Sequence, residues 1–330
     1  VLREKIMFGY SLLRLGFFVA LAIVACTLVG LFTYLVVAAL VIETQRRHCV
    51  VQLDDGSRIT CVSKGRQLQI ACGDQVSVTR TNDNEGVVES IGERGSLFYR
   101  ADAFKEKLVA ANVTQVACIV APLPAYSDEL LNRWLVCAEA SGVKAIIGLN
   151  KVDLVEAAAT ANALALYRDL GYEVIPFSAK FNHGPMRERL AGERSVLIGQ
   201  SGMGKSKLLN ALVGSEAQRT NEISEALDSG KLTTTFTRLF TLGGNDTWVI
   251  DSPGMQVFGL AHFSRNEIER AFPEFRDSIG QCRFRDCKHL HEPNCALQTL
   301  VADGKASGDR LSYLRKFCAE GEAVPLYARH

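Results

Sequence analysis

Neither sign of charge dominates this chain: 37 Lys and Arg residues face 36 Asp and Glu over 330 residues, leaving a formal net charge of +1. A protein basic over its whole surface is therefore excluded, and any contact with nucleic acid has to use local patches. A disulfide framework is missing as well. Of the ten cysteines, seven (Cys26, Cys49, Cys61, Cys72, Cys118, Cys137 and Cys318) show no framework spacing, which points to a reducing, cytosolic setting. No cleavage site of the A-x-A kind clearly follows the apolar run Leu15 to Val37. That run is 23 residues long and uncharged, with Arg14 before it and Arg46 and Arg47 after it. It is long enough to cross a bilayer and too long for a signal-peptide core. Three readings stay open: a membrane anchor, a buried helix, or translated sequence upstream of the true start, since the chain begins with Val1.

What is present is an unusual order of motifs. Asn150-Lys151-Val152-Asp153 precedes Gly199-Gln200-Ser201-Gly202-Met203-Gly204-Lys205-Ser206, whereas an ordinary GTPase has its phosphate loop first. The chain therefore reads as a circularly permuted GTPase. The loop fits G-x-x-x-x-G-K-[ST] at every fixed position, with a buried strand, Arg194 to Ile198, before it and a helix from Lys207 to Leu212 after it. Its glycines let backbone N–H groups close around phosphates and the helix N-terminus adds positive potential. Lys205 is placed to reach the β and γ phosphates and Ser206 to ligate Mg²⁺.

Base identity is assigned to Asn150 through Asp153, at the end of the apolar run Val143 to Leu149, which reads as a parallel strand opening onto the site. A carboxylate at Asp153 can accept two hydrogen bonds from guanine, and the stem of Lys151 can cover the ring. Adenine offers no such donor pair. Ser178-Ala179-Lys180 follows a second strand, Glu173 to Phe177, and its backbone can meet the guanine O6. Beyond the phosphate loop, Thr233-Thr234-Thr235 comes after a polar stretch from Ser215 to Lys231, and a hydroxyl there, that of Thr234 by choice, can complete a Mg²⁺ shell. Asp251-Ser252-Pro253-Gly254 ends the strand Trp248 to Ile250. Asp251 would hold Mg²⁺ through water, and Gly254 would offer its N–H to the γ-phosphate.

Permutation has a physical account: the termini of a compact α/β domain often lie close enough to be joined while the chain reopens elsewhere. Its consequence is mechanical. The segment after Asp251 to Gly254 leads directly into a C-terminal domain, so movement on loss of the γ-phosphate could pass to it. That domain carries Cys282-x4-Cys287-x-His289-x5-Cys295, three thiolates and an imidazole within fourteen residues. The set suits one tetrahedral structural Zn²⁺, with His291 as a competing ligand and no open position for catalysis.

Upstream, from about Ala38 to Arg100, short β-rich runs such as His48 to Leu53 alternate with turns at Asp54-Asp55-Gly56 and Cys72-Gly73-Asp74. This reads as a small antiparallel barrel of the OB type. Arg46, Arg47, Arg58, Lys64 and Arg66 could line an RNA-binding face, although nearby acidic residues nearly balance them. RNA binding, protein binding and a purely structural role all remain open for this segment.

The assembled order resembles the RsgA (YjeQ) family of ribosome small-subunit-dependent GTPases over residues 38 to 330. The resemblance implies an α/β fold in which an N-terminal OB-fold barrel (38–100) precedes a circularly permuted P-loop GTPase domain (101–272) and a mainly helical zinc domain (273–330); the apolar leader (1–37) stands outside it. It implies a monomeric cytoplasmic GTPase that uses GTP, Mg²⁺ and one structural Zn²⁺. The implied partner is the 30S subunit with its 16S rRNA, bound late in maturation and stimulating hydrolysis of GTP to GDP and phosphate. Nucleotide contacts are then expected along Gly199 to Ser206 and at Lys207, at Asn150, Lys151, Val152 and Asp153, and at Ser178, Ala179 and Lys180. Two departures stand out. The family has a histidine just before the three threonines where this chain has Leu232, and it has no leader like residues 15 to 37. Nor does a glutamine directly follow Gly254: Met255 stands there and Gln256 comes one later, so intrinsic turnover is expected to be slow. A membrane-tethered GTP-binding switch acting on a protein partner is the competing reading.

Overall fold

The computed structural model describes residues 36–45, 48–65, 68–102, 105–217, 237–243, 246–251, 260 and 262–322; the side chains of 100–102, 105–107, 215–217 and 321–322 are outside that description. The first five strands are β1 (Val36–Thr44), β2 (Cys49–Leu53), β3 (Arg58–Ser63), β4 (Gln75–Arg80) and β5 (Glu85–Ile91). They pair in the cycle β1-β2-β3-β5-β4-β1, with only β3–β5 parallel, which closes an OB-type barrel. Alternation does the work: Val41, Val51, Ile59, Cys61, Val76, Val78 and Val88 point inward and fill the barrel. Both expected turns are present. At the first, the Asp55 carboxylate accepts from Ser57 N at 2.8 Å, and at the second the buried Asp74 accepts from Ala71 N and Arg94 Nε, both at 2.7 Å.

Val36 and Val37, the end of the apolar run, belong to β1, so the barrel begins two residues earlier than residue 38. Residues 15–35 lie outside the described residues. Among the described residues no helix is long and apolar enough to cross a membrane.

After the barrel comes a hairpin, β6 (Leu97–Asp102) and β7 (Lys105–Ala111), so the boundary drawn between residues 100 and 101 falls inside a strand. The second sheet region follows: β8 (Gln115–Val120), β9 (Lys144–Leu149), β10 (Glu173–Pro176), β11 (Arg194–Ile198), β12 (Thr237–Thr241) and β13 (Trp248–Asp251). Its order is β10-β9-β8-β11-β13-β12, parallel except for β12. Every residue of β8 is buried, as a central strand covered on both faces requires. Helices α1 (Asp128–Ala140), α2 (Ala157–Ala163), α3 (Ala165–Asp169), α4 (Gly184–Leu190) and α5 (Lys205–Ala217) connect the strands. Because the strands other than β12 are parallel, their C-terminal ends gather at one edge, and the segments starting at Asn150, Ser178, Gly199 and Asp251 begin there.

Barrel and sheet are continuous. Past a bulge between Val41 and Glu43, β1 pairs with β12, placing Glu43 opposite Arg238, and Arg238 Nε donates to Glu43 Oε2 at 2.7 Å. A C-terminal helical unit of α6 (Arg265–Arg270), a 3₁₀ turn (Pro273–Ser278), α7 (Ala296–Ala302) and α8 (Gly308–Glu322) packs on α1. A capping box between Ser264 and Glu267 starts α6.

The contact with α1 combines a shared apolar core, to which Leu131, Trp134, Phe272, Leu314 and Phe317 all belong, with charged pairs. Arg133 on α1 forks onto Glu320 of α8 at 2.7 and 2.9 Å, and Lys316 reaches Glu129 at 2.7 Å. Deeper, Arg310 is 1% exposed, forks onto Glu274 at 2.6 and 2.9 Å, donates to Asn132 Oδ1 and lies over the Phe272 ring. Removing one partner of such a buried pair strands a charge, at a cost of about 3–5 kcal/mol. Glu274→Ala is expected to lose that much stability in urea unfolding followed by far-UV circular dichroism. A loss below about 1 kcal/mol would show the pair to be worth no more than a surface one.

Candidate functional site

The motif loops meet through one buried side chain, Asn150, which is 1% exposed at the end of β9. Its Nδ2 donates to Met203 O in the phosphate loop at 2.7 Å. Its Oδ1 accepts from Lys151 N at 2.8 Å and from Ala179 N at 2.9 Å. The end of β9 is thereby fastened both to the loop after β11 and to the turn after β10. Two glycines make the approach possible. Gly204 has φ +90°, and a Cβ there would lie 2.3 Å from Asn150 Nδ2; Gly199 has φ +156°, and a Cβ there would meet Ile119 O at 2.4 Å.

Lys151 has φ +61°, a strained left-handed conformation for a residue with a side chain. Its ammonium donates to Gly202 O at 2.8 Å and to Leu123 O, so it clamps the phosphate loop against the segment after β8. Asp153 is exposed, and its carboxylate accepts from Ser178 Oγ at 2.7 Å. That hydroxyl, with a lesser contribution from the Lys180 and Lys151 charges, holds the Asp153 pKa below the usual carboxylate range. The Ala179 N–H, expected to face a base, is directed at Asn150 Oδ1. Lys180 extends over the Phe181 ring at 4.6 Å.

At the phosphate end, Lys205 Nζ donates to Gly199 O at 2.5 Å and to Gln200 O at 2.8 Å. Burial pushes its pKa down while the Asp251 carboxylate opposes that shift; burial raises Asp251, and Lys205 opposes that in turn. Asp251 is 8% exposed at the end of β13, opposite Leu197 of β11. Each of the two charges thus partly offsets the effect of burial on the other. Met203 turns into the core, whereas Ser201, Gly202, Ser206 and Lys207 are exposed around the mouth. Val152 is exposed beside Asp153. Thr233, Thr234, Thr235 and Gly254, together with Leu232, Met255 and Gln256, lie outside the described residues.

Sequence reasoning missed Ser127. Its backbone N–H donates to Gln200 Oε1 at 2.6 Å while its Oγ caps α1 by accepting from Leu130 N at 3.3 Å. A serine ahead of Asp128-Glu129 is a legible helix start. The bond to Gln200 is not, because it joins residues 73 apart in sequence.

The second site is the cysteine cluster. Donor atoms of Cys282, Cys287, His289 and Cys295 all lie within 4.8 Å of one another. His289 Nδ1 stands 3.6, 3.5 and 3.3 Å from the sulfurs of Cys282, Cys287 and Cys295, and Cys282 and Cys295 are 3.9 Å apart. A tetrahedral Zn²⁺ with Zn–S of about 2.3 Å and Zn–N of about 2.0 Å needs donor separations of roughly 3.5–3.8 Å. Donor set and spacing fit one zinc. His291, the competing ligand, is exposed and outside the cluster. His289 has φ +62°, and Arg315 Nε donates to its carbonyl at 2.5 Å. On the barrel, Lys64 is paired with Glu89 while Arg58 is exposed; Arg46, Arg47 and Arg66 lie outside the described residues.

Known proteins share this architecture. The family model for the RsgA GTPase matches residues 91–261. A relative from Neisseria meningitidis serogroup B, named small ribosomal subunit biogenesis GTPase RsgA, is 47% identical over 269 residues, covering 82% of this chain and 87% of its own length. One of the same name from Paraburkholderia phymatum is 46% identical over 294 residues, covering 87% and 93%. Among solved structures, YjeQ from Thermotoga maritima superposes with a TM-score of 0.65 at 28% identity, covering 88% of this chain and 100% of its own. YloQ, described as a circularly permuted GTPase, gives 0.63 at 26% identity, covering 90% and 99%.

Because four ligands supply much of the folding energy of so short a segment, Cys287→Ser is expected to empty the metal site and expose residues 276–300 to protease while nucleotide binding survives. Metal analysis with limited proteolysis reads both. An unchanged zinc content of one per chain would refute the ligand assignment.

Proposed function

The chain belongs to the RsgA family of GTPases, and on that premise we propose that it binds the 30S ribosomal subunit and its 16S rRNA in the cytoplasm, as a monomer, late in subunit maturation. There it hydrolyses GTP to GDP and phosphate. The observation that carries this reading is the junction at Asn150, which assembles guanine-reading and phosphate-binding loops from a permuted chain into one site.

Each group then has a role. Asp153, held by Ser178, accepts from the guanine edge, and Lys151, with Val152, Ala179 and Lys180 around it, lines the base. Backbone N–H groups of the loop from Gly199 to Ser206 and the start of α5 at Lys207 surround the phosphates, and Lys205 reaches the β and γ groups. Ser206, Thr234 and, through water, Asp251 are the residues that would hold Mg²⁺; Gly254 would offer its N–H to the γ-phosphate. When bound, Mg²⁺ neutralises charge on the phosphate oxygens. Burial disfavours the charged form of Lys205 and of Asp251 taken alone but strengthens the interaction of each with an opposite charge, since little water screens them. The Cys282, Cys287, His289 and Cys295 centre takes one structural zinc. On this reading the domain boundaries drawn at 100 and 272 shift earlier, the barrel ending near Gly92 to Gly95 and the C-terminal unit beginning ahead of Ser264.

Hydrolysis needs a group that orients water. Leu232 and Met255 are apolar where such groups stand in related enzymes, so the subunit supplies the missing element. Single-turnover hydrolysis with and without 30S particles tests the proposal. The wild type is expected to be slow alone and at least about tenfold faster with subunits, well below the roughly 10³–10⁵-fold that an arginine finger contributes. Leu232→His is expected to raise the rate without subunits, with little change in GTP affinity. Equal rates for the wild type under both conditions would overturn the ribosomal reading.

A further inference from the structure

His289 turns Nδ1 toward the three cysteine sulfurs, which leaves Nε2 on the far side of the ring. That atom lies 3.4 Å from Glu269 Oε1, with the histidine side chain 5% and the glutamate side chain 10% exposed. Glu269 belongs to α6, twenty residues before His289, and no ligand spacing brings it to notice. The same carboxylate oxygen accepts from Arg265 Nε at 2.6 Å, one helical turn earlier. Charge explains why the arginine is there. Three thiolates around a divalent cation leave one net negative charge, and a buried carboxylate beside it would be repelled unless a cation offset it.

We propose that Glu269 is the positioning residue of the metal centre: its carboxylate accepts the Nε2 proton of His289, fixing the tautomer and ring orientation that present Nδ1 to zinc, while Arg265 keeps the carboxylate in place and balances its charge. Carboxylate–histidine–metal arrangements raise the basicity of the ligating nitrogen and restrict the ring. Here the arrangement also ties the centre to α6, the first helix after the segment that follows Asp251. The proposal rests on the reading of Cys282, Cys287, His289 and Cys295 as a zinc site.

The test uses the full-length protein and Zn²⁺ competition against a chromophoric chelator. Glu269→Ala is expected to weaken zinc binding about 10–100-fold, the usual effect of losing such a partner. Glu269→Gln, which keeps an acceptor oxygen, is expected to restore most of that loss. Long-range ¹H–¹⁵N spectra of histidine-labelled, zinc-loaded wild type read the tautomer directly and do not depend on any variant folding: the proton of His289 is expected on Nε2. A wild type that binds no zinc would sink the zinc reading itself. A wild type that binds one zinc, with Glu269→Ala within about threefold of it or with the His289 proton on Nδ1, would overturn the role of Glu269 alone.

Discussion

One buried amide holds the nucleotide site together. Asn150 spends its carbonyl oxygen on two backbone N–H groups and its nitrogen on one backbone carbonyl, so three loops from three strands share a single side chain. Left without that partner, each buried group would cost about 1–3 kcal/mol. The constraint reaches outward. Gly204 has to lack a Cβ because Asn150 Nδ2 occupies that space, and Lys151 accepts a left-handed backbone so that its ammonium can clamp Gly202 O and Leu123 O. It also explains why permutation is tolerated: the loops meet because parallel strands end at the same edge, and that is indifferent to where the chain begins.

Around this junction the other units attach by the edges and ends of the central elements. The barrel shares β1 with the sheet through β12, whose first residue follows the stretch containing Thr233 to Thr235. On the opposite side, α1 is both a neighbour of the phosphate loop, through Ser127 and Gln200, and the platform for α8, through Arg133 and Glu320. Both attachments combine paired polar groups with apolar packing, since one continuous core takes in Ile42 and Phe98, Leu131 and Trp134 of α1, and Phe272 and Phe317 of the C-terminal unit.

The parts of this arrangement legible in the sequence were those whose chemistry is local. Gly199, Gly204, Lys205 and Ser206 stand at fixed spacing because the loop must close on itself, and Cys282, Cys287, His289 and Cys295 lie close enough in sequence to close around one ion. The barrel was legible from alternation. Its first strand was not, since Val36 and Val37 end an apolar run and period-two alternation cannot be seen inside unbroken hydrophobicity. The boundary at residue 100 failed for a related reason: β6 crosses it with no turn residue to mark a change. Ser127, Glu269 and the Lys151 ammonium were illegible because their partners are 73, 20 and 51 residues away and are brought near only by the fold.

The account stands on Asn150, and calorimetric titration of Asn150→Ala with GDP and GTP tests it most directly. Met203 O and the Lys151 and Ala179 N–H groups all lose their partner in that variant, so a combined cost of at least about 2 kcal/mol is expected. That corresponds to affinities at least roughly 30-fold weaker for both nucleotides, with the far-UV circular dichroism spectrum unchanged. Wild-type affinity for both nucleotides in a folded Asn150→Ala protein would show that the loops are held by something else, and would contradict the account at its centre.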